Sequence, residues 1–174
     1  MNFAKNFLKM GSAVTVSATL GTLATDPNTR WYKSLDKPEI QPPAAAFPIA
    51  WTALYAAIAG ASAKAVTAGE RAAEARRGDV FRPPHERAEA ARRVRSYKRA
   101  LGVNLVLNTG WTALFFQGKN PPLAAVEATL LAVSSADLAR RAWQLDRASG
   151  VLLAPYAAWT AYATALTVRI DQEN

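Results

Sequence analysis

Three short groups of aromatic and polar residues stand out in this sequence, because each follows one face of an α-helix. Their members recur at every third or fourth position: Phe47, Trp51 and Tyr55; Asn104, Asn108, Trp111 and Phe115; and Tyr156, Trp159 and Ala163. Indole and phenol rings present broad apolar faces with one polar atom each, and asparagine amides in apolar surroundings seek partners or line a cavity. Such groups either line a ligand cavity or pack helices together, and spacing alone leaves both interpretations open.

Conventional hydrolytic or metal chemistry finds little support in the composition. The chain has 174 residues, one histidine and no cysteine, and the histidine, His85, lies in an arginine-rich stretch. A Ser-His-Asp set in an apolar site is therefore disfavoured, as is a buried histidine-ligated metal or haem. Without cysteine there is neither a thiol nucleophile nor a disulfide framework.

The elements that would position the aromatic groups are long uncharged segments. Hydrophobic residues make up 51% of the chain, yet its mean hydropathy is only -0.03, because charge is concentrated between the apolar runs. Four runs carry no charge and a fifth, residues 120–136, carries only Glu127; the four are residues 10–25, 40–63, 100–118 and 148–168. A transmembrane helix needs about 20 largely apolar residues. The pattern predicts an all-α integral membrane bundle of five transmembrane helices.

We expect a single domain over residues 1–174, with a basic cytoplasmic insertion at about 65–97 that holds short helical pieces. The expected spans are residues 8–25, 42–64, 98–118, 121–142 and 148–169. Two alternatives remain open. The runs are rich in alanine, serine and threonine, which would also suit a soluble helical bundle, and the first run could pass for a signal peptide.

The basic residues are distributed unequally between the two sides that five spans would create. Of the 21 lysines and arginines, 16 fall before the first span or in the 64–99 and 140–147 connections, whereas 5 fall on the opposite side. Because basic residues accumulate in cytoplasmic loops, this bias predicts a cytoplasmic N-terminus. It also explains the net charge of +8 through contact with membrane lipid, so no nucleic-acid partner is expected.

A proline-rich segment separates the first two expected helices and directly precedes one aromatic group. It begins WYKSLDKPEIQPP, and Pro42 and Pro43 suit the first turn of the second helix, where a missing amide costs nothing. At the α-helical rise, Trp51, Trp111 and Trp159 each lie roughly 10–13 Å from the same, external end of their helices. We therefore expect the three indoles to share one layer beneath a rigid lid.

Several blocks along the chain, taken in order, resemble the translocator protein family, which includes the tryptophan-rich sensory proteins (TspO) and the peripheral-type benzodiazepine receptor (MBR). The blocks are WYKSLDKP followed by PP, FPIAWTALY, LNTGW with LFF, and LLAPYAAW with AT. The resemblance covers nearly the whole chain apart from the arginine-rich insertion. It implies a five-helix membrane bundle, usually homodimeric, that binds tetrapyrroles such as protoporphyrin IX or haem and, in some members, sterols and benzodiazepine-type ligands.

The resemblance also implies roles for individual residues. Trp51 and Trp159 match tryptophans implicated in light-dependent porphyrin degradation, and Trp31, Lys37 and Pro38 match the lid of the ligand pocket. Pocket-lining positions are matched by Tyr55, Asn108, Trp111, Phe115, Tyr156 and Ala163, which lie on the same helix faces as Phe47 and Asn104. The tetrapyrrole would be a ligand and no cofactor is required. Indoles can stack on its flat face, and an external lysine or arginine can meet its propionates.

Three functions stay open on this basis: a membrane receptor or sensor for tetrapyrroles, an enzyme that photo-oxidises bound porphyrin, and a transporter. The first is preferred, because no catalytic constellation supports the second from the residues themselves. A sterol site near the end of the last helix is disfavoured, since the stretch ATALTVRID lacks the aromatic residue that the sterol motif requires.

Two further features within the expected spans carry predictions. Glu127 is a carboxylate inside a span, and we expect it to make a structural hydrogen bond to a nearby serine or threonine rather than to serve a functional site. In the first span, Ala13, Ser17 and Gly21 form a ladder of small residues. Such a ladder suits either a close helix contact or a dimer seam.

Overall fold

The chain folds into helices joined by short connections. The computed structural model describes residues 2–81 and 83–174, without the side chain of Arg87. Within these residues the helices are α1 (Phe3–Ala24), α2 (Arg30–Ser34), α3 (Ala46–Gly78), α4 (Pro84–Thr112), α5 (Pro121–Leu145) and α6 (Arg147–Glu173), with a π-helical turn at Ala113–Gln117 directly after α4. The all-α prediction is confirmed.

The five long helices follow the five expected spans in order. Helices α3, α5 and α6 are long and apolar enough to cross a membrane, whereas α1 and α4 both begin in charged segments. Helix α3 begins at Ala46, so the prediction that Pro42 and Pro43 form its first turn is wrong. Those prolines precede a turn that the Ala46 amide closes on the Pro43 carbonyl at 2.8 Å. Pro48 lies in the first turn instead.

Helix α3 is the central element of the bundle, because it packs against α1, α4, α5 and α6. Its inward face combines small and branched side chains, among them Ile58, Ala61, Ala65 and Val66, all of which are almost completely buried. Alanine at such positions lets neighbouring helices approach closely. The aromatic residue Phe47 lies at the start of this helix, so the central helix also carries one of the predicted site groups.

Helices α5 and α6 form an antiparallel pair joined by Asp146 alone. The Asp146 amide bonds to the Ala142 carbonyl at 2.8 Å, and its carboxylate accepts bonds from the Ser149 amide and hydroxyl at 2.8 and 2.7 Å. Gly150 lies directly against Trp143, because a Cβ on Gly150 would come within 2.6–2.9 Å of the Trp143 Cβ, Cα and N atoms. The missing side chain therefore allows the two helices to approach to backbone contact.

The cap at Asp146 predicts a loss of stability in acid. Hydrogen bonds from the Ser149 hydroxyl and amide, with the charge of Lys64 nearby, hold the pKa of the Asp146 carboxyl below its usual value. A carboxyl whose pKa is lower in the folded state stabilises the fold above its unfolded pKa and loses that contribution as the pH falls through the folded value. We expect Asp146→Asn to reduce the dependence of the unfolding temperature on pH below about 4, as measured by thermal unfolding in detergent. An unchanged pH profile would contradict this role.

Two of the three small residues in the α1 ladder, Ser17 and Gly21, face the interior of the bundle. The Ser17 hydroxyl donates to the Leu105 carbonyl at 3.1 Å and lies 2.9 Å from the Thr109 hydroxyl. Gly21 is buried beside Thr112, whereas Ala13 is exposed. Ser17 and Gly21 therefore form a close helix contact with α4, which is one of the two predicted uses of the ladder.

The basic insertion at 65–97 is helical almost throughout, because α3 and α4 both extend through it. Only residues 79–83 lie between the two helices, and the expectation of short separate helical pieces is wrong. Alanine, arginine and glutamate favour helix in this stretch, and Glu89 pairs with Arg93 one turn later at 2.5 Å. Arg82 lies outside the described residues.

Candidate functional site

The predicted lid is a segment fastened to α6. The Tyr162 hydroxyl donates to the Ile40 carbonyl at 2.6 Å. The Asn174 side chain accepts a bond from the Asp36 amide at 2.9 Å and donates to the Asp36 carbonyl at 3.0 Å. Pro38 lies between these two attachment points in the sequence and is buried. The end of α6 therefore holds the lid in place.

Lys37 is also held within the lid. Its ammonium nitrogen donates to the Leu35 carbonyl at 2.9 Å and lies 4.8 Å from the centre of the Tyr32 ring. A cation over an aromatic face is attracted by the negative face of the ring. These two contacts place a positive charge on the same segment as Trp31.

Removing the Tyr162 hydroxyl is expected to loosen the lid. Tyr162→Phe deletes the bond to Ile40 but keeps the ring, whose centre lies 5.6 Å from that of Trp159. Backbone amides of residues 36–41 should then exchange with deuterated water several-fold faster, as measured by mass spectrometry on protein in detergent. Tyr97→Phe is the matched control, because the Tyr97 hydroxyl bonds to Ser62 away from the lid. Equal acceleration in both variants would contradict a local role for Tyr162.

The first aromatic cluster, here called the Trp51 group, consists of Phe47, Trp51, Tyr55, Tyr156 and Trp159. The ring centres of Trp51 and Trp159 are 6.5 Å apart with their planes nearly perpendicular, and Trp51 lies 5.4 Å from Tyr55 and 6.5 Å from Tyr156. Phe47 lies 6.2 Å from Trp159. Edge-to-face contacts of this kind are favourable pairings of aromatic rings. Helices α3 and α6 thus bring together two of the predicted groups.

Trp159 has a polar atom available in this cluster. Its indole nitrogen is buried and has no hydrogen-bond partner among the described residues. An indole N–H is only a donor, and buried polar atoms are normally paired. The Trp51 group therefore combines broad apolar surfaces with one free donor.

The second aromatic cluster, the Trp111 group, packs the start of the lid against the end of α4 and the π-helical turn. It contains Trp31 and Tyr32 from α2 together with Trp111, Phe115 and Phe116. Phe115 contacts both tryptophans, with ring centres 5.6 Å from Trp31 and 5.8 Å from Trp111. Phe47 contacts Trp159 and also packs against the buried cluster that contains Phe115, Leu166 and Ile170. Phe47 therefore lies between Trp159 and that cluster.

The indole nitrogen of Trp111 is engaged within the bundle. It donates to the Thr167 hydroxyl at 3.3 Å, and that hydroxyl donates to the Ala163 carbonyl at 2.8 Å. Trp111 is thereby fixed against α6, and Ala163 lies on the same face as Thr167. Of the three indoles expected in one layer, Trp51 and Trp159 are in ring contact, whereas Trp111 makes its ring contacts with Phe115 and Phe116.

The two predicted asparagines form a buried polar network behind the Trp51 group. Asn108 accepts a bond from the Tyr55 hydroxyl at 2.6 Å and donates to the Tyr156 hydroxyl at 3.5 Å. Tyr156 donates to Asn104 at 2.8 Å, and Asn104 donates to Ser135 at 3.0 Å. This chain links α3, α4, α5 and α6, and it fixes the angle at which Tyr55 and Tyr156 meet Trp51.

Comparison with known proteins shows to which protein family this chain belongs. The model of the TspO/MBR family matches residues 10–172, a range that includes the lid, both aromatic clusters and the asparagine network. The chain belongs to the TspO/MBR family. It is an integral membrane protein, and the prediction of a helical membrane bundle is confirmed.

Individual members of the TspO/MBR family align over most of their length. The chain is 27% identical to the tryptophan-rich protein TspO of Chlorobaculum tepidum, over 96% of this chain and 94% of that protein. It is 29% identical to the tryptophan-rich sensory protein of Cereibacter sphaeroides, over 97% and 90%. It is 31% identical to the uncharacterized membrane protein YtaB of Bacillus subtilis, over 83% and 80%.

An additional space lies on the outer surface of this TspO/MBR protein. An open groove of about 810 Å³ runs along the outer face between α1 and α3, where Tyr55 contributes to its wall. The rings of the Trp51 group contact one another, and so do those of the Trp111 group.

The hydrogen bonding of the Glu127 carboxylate differs from the prediction. Both carboxylate oxygens are buried and lack a hydrogen-bond partner among the described residues, so the expected bond to a serine or threonine is wrong. The carboxyl group lies against Gly110, where a Cβ would be 3.4 Å from one of its oxygens. The nearby Thr164 hydroxyl donates to backbone carbonyls instead. An unpaired carboxyl inside a span remains a candidate functional group of this TspO/MBR protein.

Some contributors to the site were not found from the sequence. They are Tyr32, Phe116, Tyr162 and Thr167. Tyr162 lies three residues after Trp159 and Thr167 four after Ala163, so helical spacing would have shown both. Phe116 gave no such signal, because its position follows from the π-helical turn, which changes the phase of the helix.

Proposed function

We propose that this protein is a membrane receptor or sensor that binds a tetrapyrrole, such as protoporphyrin IX or haem, between the lid and the Trp51 group. The observation that carries the proposal is the pair Trp51 and Trp159, whose perpendicular indoles lie 6.5 Å apart and include one buried N–H donor that has no partner among the described residues. Broad indole faces suit a flat apolar macrocycle. The free donor suits an acceptor on that ligand.

Charge on the lid supports the same ligand class. A porphyrin carries anionic propionates, and Lys37 places an ammonium group beside Tyr32 on the lid. A charge-assisted bond to a carboxylate is stronger than a neutral one. The sensory role follows the names of the relatives in Chlorobaculum and Cereibacter, which are described as tryptophan-rich and, in the second case, sensory.

A titration with protoporphyrin IX tests the proposal. We expect saturable binding to the detergent-solubilised protein, measured by the shift of the porphyrin Soret band, which does not depend on tryptophan emission. Trp51→Phe and Trp159→Phe should each weaken binding by roughly 2- to 10-fold, since an aromatic pair is worth about 0.5–1.5 kcal/mol. Trp143→Phe is the matched control, because Trp143 is 49% exposed on α5 outside both clusters. Equal affinities in all three variants would refute the assigned site.

Light-dependent breakdown of the bound porphyrin is a second candidate function, favoured by the direct contact between Trp51 and Trp159. Two adjacent indoles would be close enough to exchange an electron with the excited pigment. The test compares loss of Soret absorbance under illumination between the protein and the Trp51→Phe, Trp159→Phe double variant, both saturated with porphyrin. Loss that disappears in the double variant would assign degradation, whereas equal loss would assign it to free photobleaching.

A further inference from the structure

The basic hairpin, residues 65–97, is a helical arm that leaves the membrane bundle. Helix α3 continues to Gly78 and α4 begins at Pro84, so the arm extends roughly 21 Å beyond the predicted end of the second span at the α-helical rise. Lipid headgroups occupy only about 5–8 Å on each side of the hydrocarbon core, and attraction between charges fades over about 8 Å in physiological salt. The end of α3 at Gly78 therefore lies beyond the headgroup layer, whereas the Cα of Arg95, three residues before the expected third span, lies roughly 5 Å from the hydrocarbon core at the same rise.

The base of the basic hairpin is held rigidly. Asn6 in α1 donates to Thr67 at 3.0 Å and to Glu70 at 2.8 Å, and Lys98 in α4 pairs with Glu70 at 2.8 Å. Gly69 permits close packing of Val94 and Leu145, which would lie 2.6 and 2.8 Å from a Cβ at this position. The arm is consequently anchored to α1, α4 and α5, and little conformational entropy is lost when a partner binds a surface of this kind.

The tip of the basic hairpin, at Val80 and Phe81, exposes apolar side chains. Val80 and Phe81 are adjacent and are 73% and 96% exposed. Beside them, a cleft of about 340 Å³ between the two helices is lined by Arg77, Pro84, Ala88, Ala91 and Arg95. Aromatic and arginine side chains are the types most enriched in the energetic centres of protein interfaces.

Two positive charges of the cleft are available to a partner. Arg77 and Arg95 form no ion pair with a carboxylate among residues 2–81 and 83–174. Glu89 on the same hairpin is already paired with Arg93. Guanidinium groups bind carboxylates in a two-point geometry. The cleft is thus complementary to acidic side chains next to an apolar one.

We propose that the tip of the basic hairpin docks an acidic segment of a soluble protein, whose carboxylates pair with Arg77 and Arg95 and whose apolar side chain covers Phe81. The charge distribution predicts that this tip lies in the cytoplasm. The docking surface is separate from the tetrapyrrole site, so either function can hold without the other.

The test uses the full-length protein in nanodiscs of phosphatidylcholine. The probe is a fluorescein-labelled amphipathic peptide with glutamates on one face and leucines on the other, and its anisotropy is corrected for binding to empty nanodiscs. We expect saturable binding in physiological salt that weakens by roughly tenfold or more in Phe81→Ser and in Arg77→Glu. Arg147→Glu is the matched control, because it makes the same charge change at the exposed α5–α6 turn and should leave binding unchanged.

Several outcomes would overturn the proposal. Absence of saturable binding, or equal weakening in Arg147→Glu, would show that the tip has no specific complementarity. Protection of amides in residues 76–95 by phosphatidylserine nanodiscs without the peptide would assign the arm to lipid. A change of oligomeric state in Phe81→Ser, measured by mass photometry, would assign Phe81 to a contact between copies of this chain.

Discussion

Replacing Gly150 with alanine is expected to lower the unfolding temperature of the protein markedly and to reduce its yield in the membrane. The new Cβ would come within 2.6 Å of the Trp143 Cβ and within 2.9 Å of its backbone atoms. Backbone of a helix cannot move aside as a flexible side chain can, so α5 and α6 must separate. Overpacking of this kind costs about 1–3 kcal/mol. Thermal unfolding followed by intrinsic fluorescence in detergent measures the effect.

Gly102→Ala is the matched control for this experiment. Gly102 lies within α4, and apart from the backbone of its own helix no heavy atom of the described residues would lie within 4 Å of a Cβ there. Alanine favours helix over glycine by about 1 kcal/mol, so this variant should be as stable as the original or slightly more stable. A Gly150→Ala protein with an unchanged unfolding temperature would show that α5 and α6 are not in backbone contact.

Truncating Tyr156 is expected to destabilise the bundle strongly. The side chain is completely buried between α3, α4 and α6, and its hydroxyl joins Asn104 to Asn108. Tyr156→Ala removes the ring and leaves a cavity at the centre of the polar network, for which large-to-small changes of aromatic residues cost about 3–5 kcal/mol. The same thermal unfolding measurement applies.

Tyr156→Phe separates the contribution of the hydroxyl from that of the ring. It leaves the Asn104 oxygen without the donor that lies 2.8 Å away, and a hydrogen bond between transmembrane helices is worth about 1 kcal/mol. The phenylalanine variant should therefore lose much less stability than the alanine variant. Equal losses would place the stabilising role in the hydroxyl rather than in packing.

The sequence predicted the helices well because their signal is carried by many residues. Long uncharged runs indicate apolar helices whatever their neighbours are, and all five expected spans correspond to long helices. Helical spacing also identified Phe47, Trp51 and Tyr156, which contact one another or Trp159 as their shared faces predict. These inferences depend on periodicity within single helices.

Features that depend on how helices meet were predicted less well. The depth argument treated the third span as a regular helix, but the π-helical turn at Ala113–Gln117 changes the direction in which its last side chains point. Phe115 and Phe116 lie within that turn, and both of their rings contact Trp111. The surroundings of Glu127 were missed for a related reason, since its neighbour Gly110 belongs to a different helix.

The attachment of Asn174 to the lid matters for the practical handling of the protein. Because this side chain bonds to both backbone groups of Asp36, any polypeptide fused after Asn174 would emerge beside the lid. A purification tag or fluorescent reporter placed there would crowd the lid and, under the proposed function, would distort affinity measurements. Fusions that precede α1 begin at the other end of that helix from the lid and leave the bonds of Asn174 to Asp36 intact.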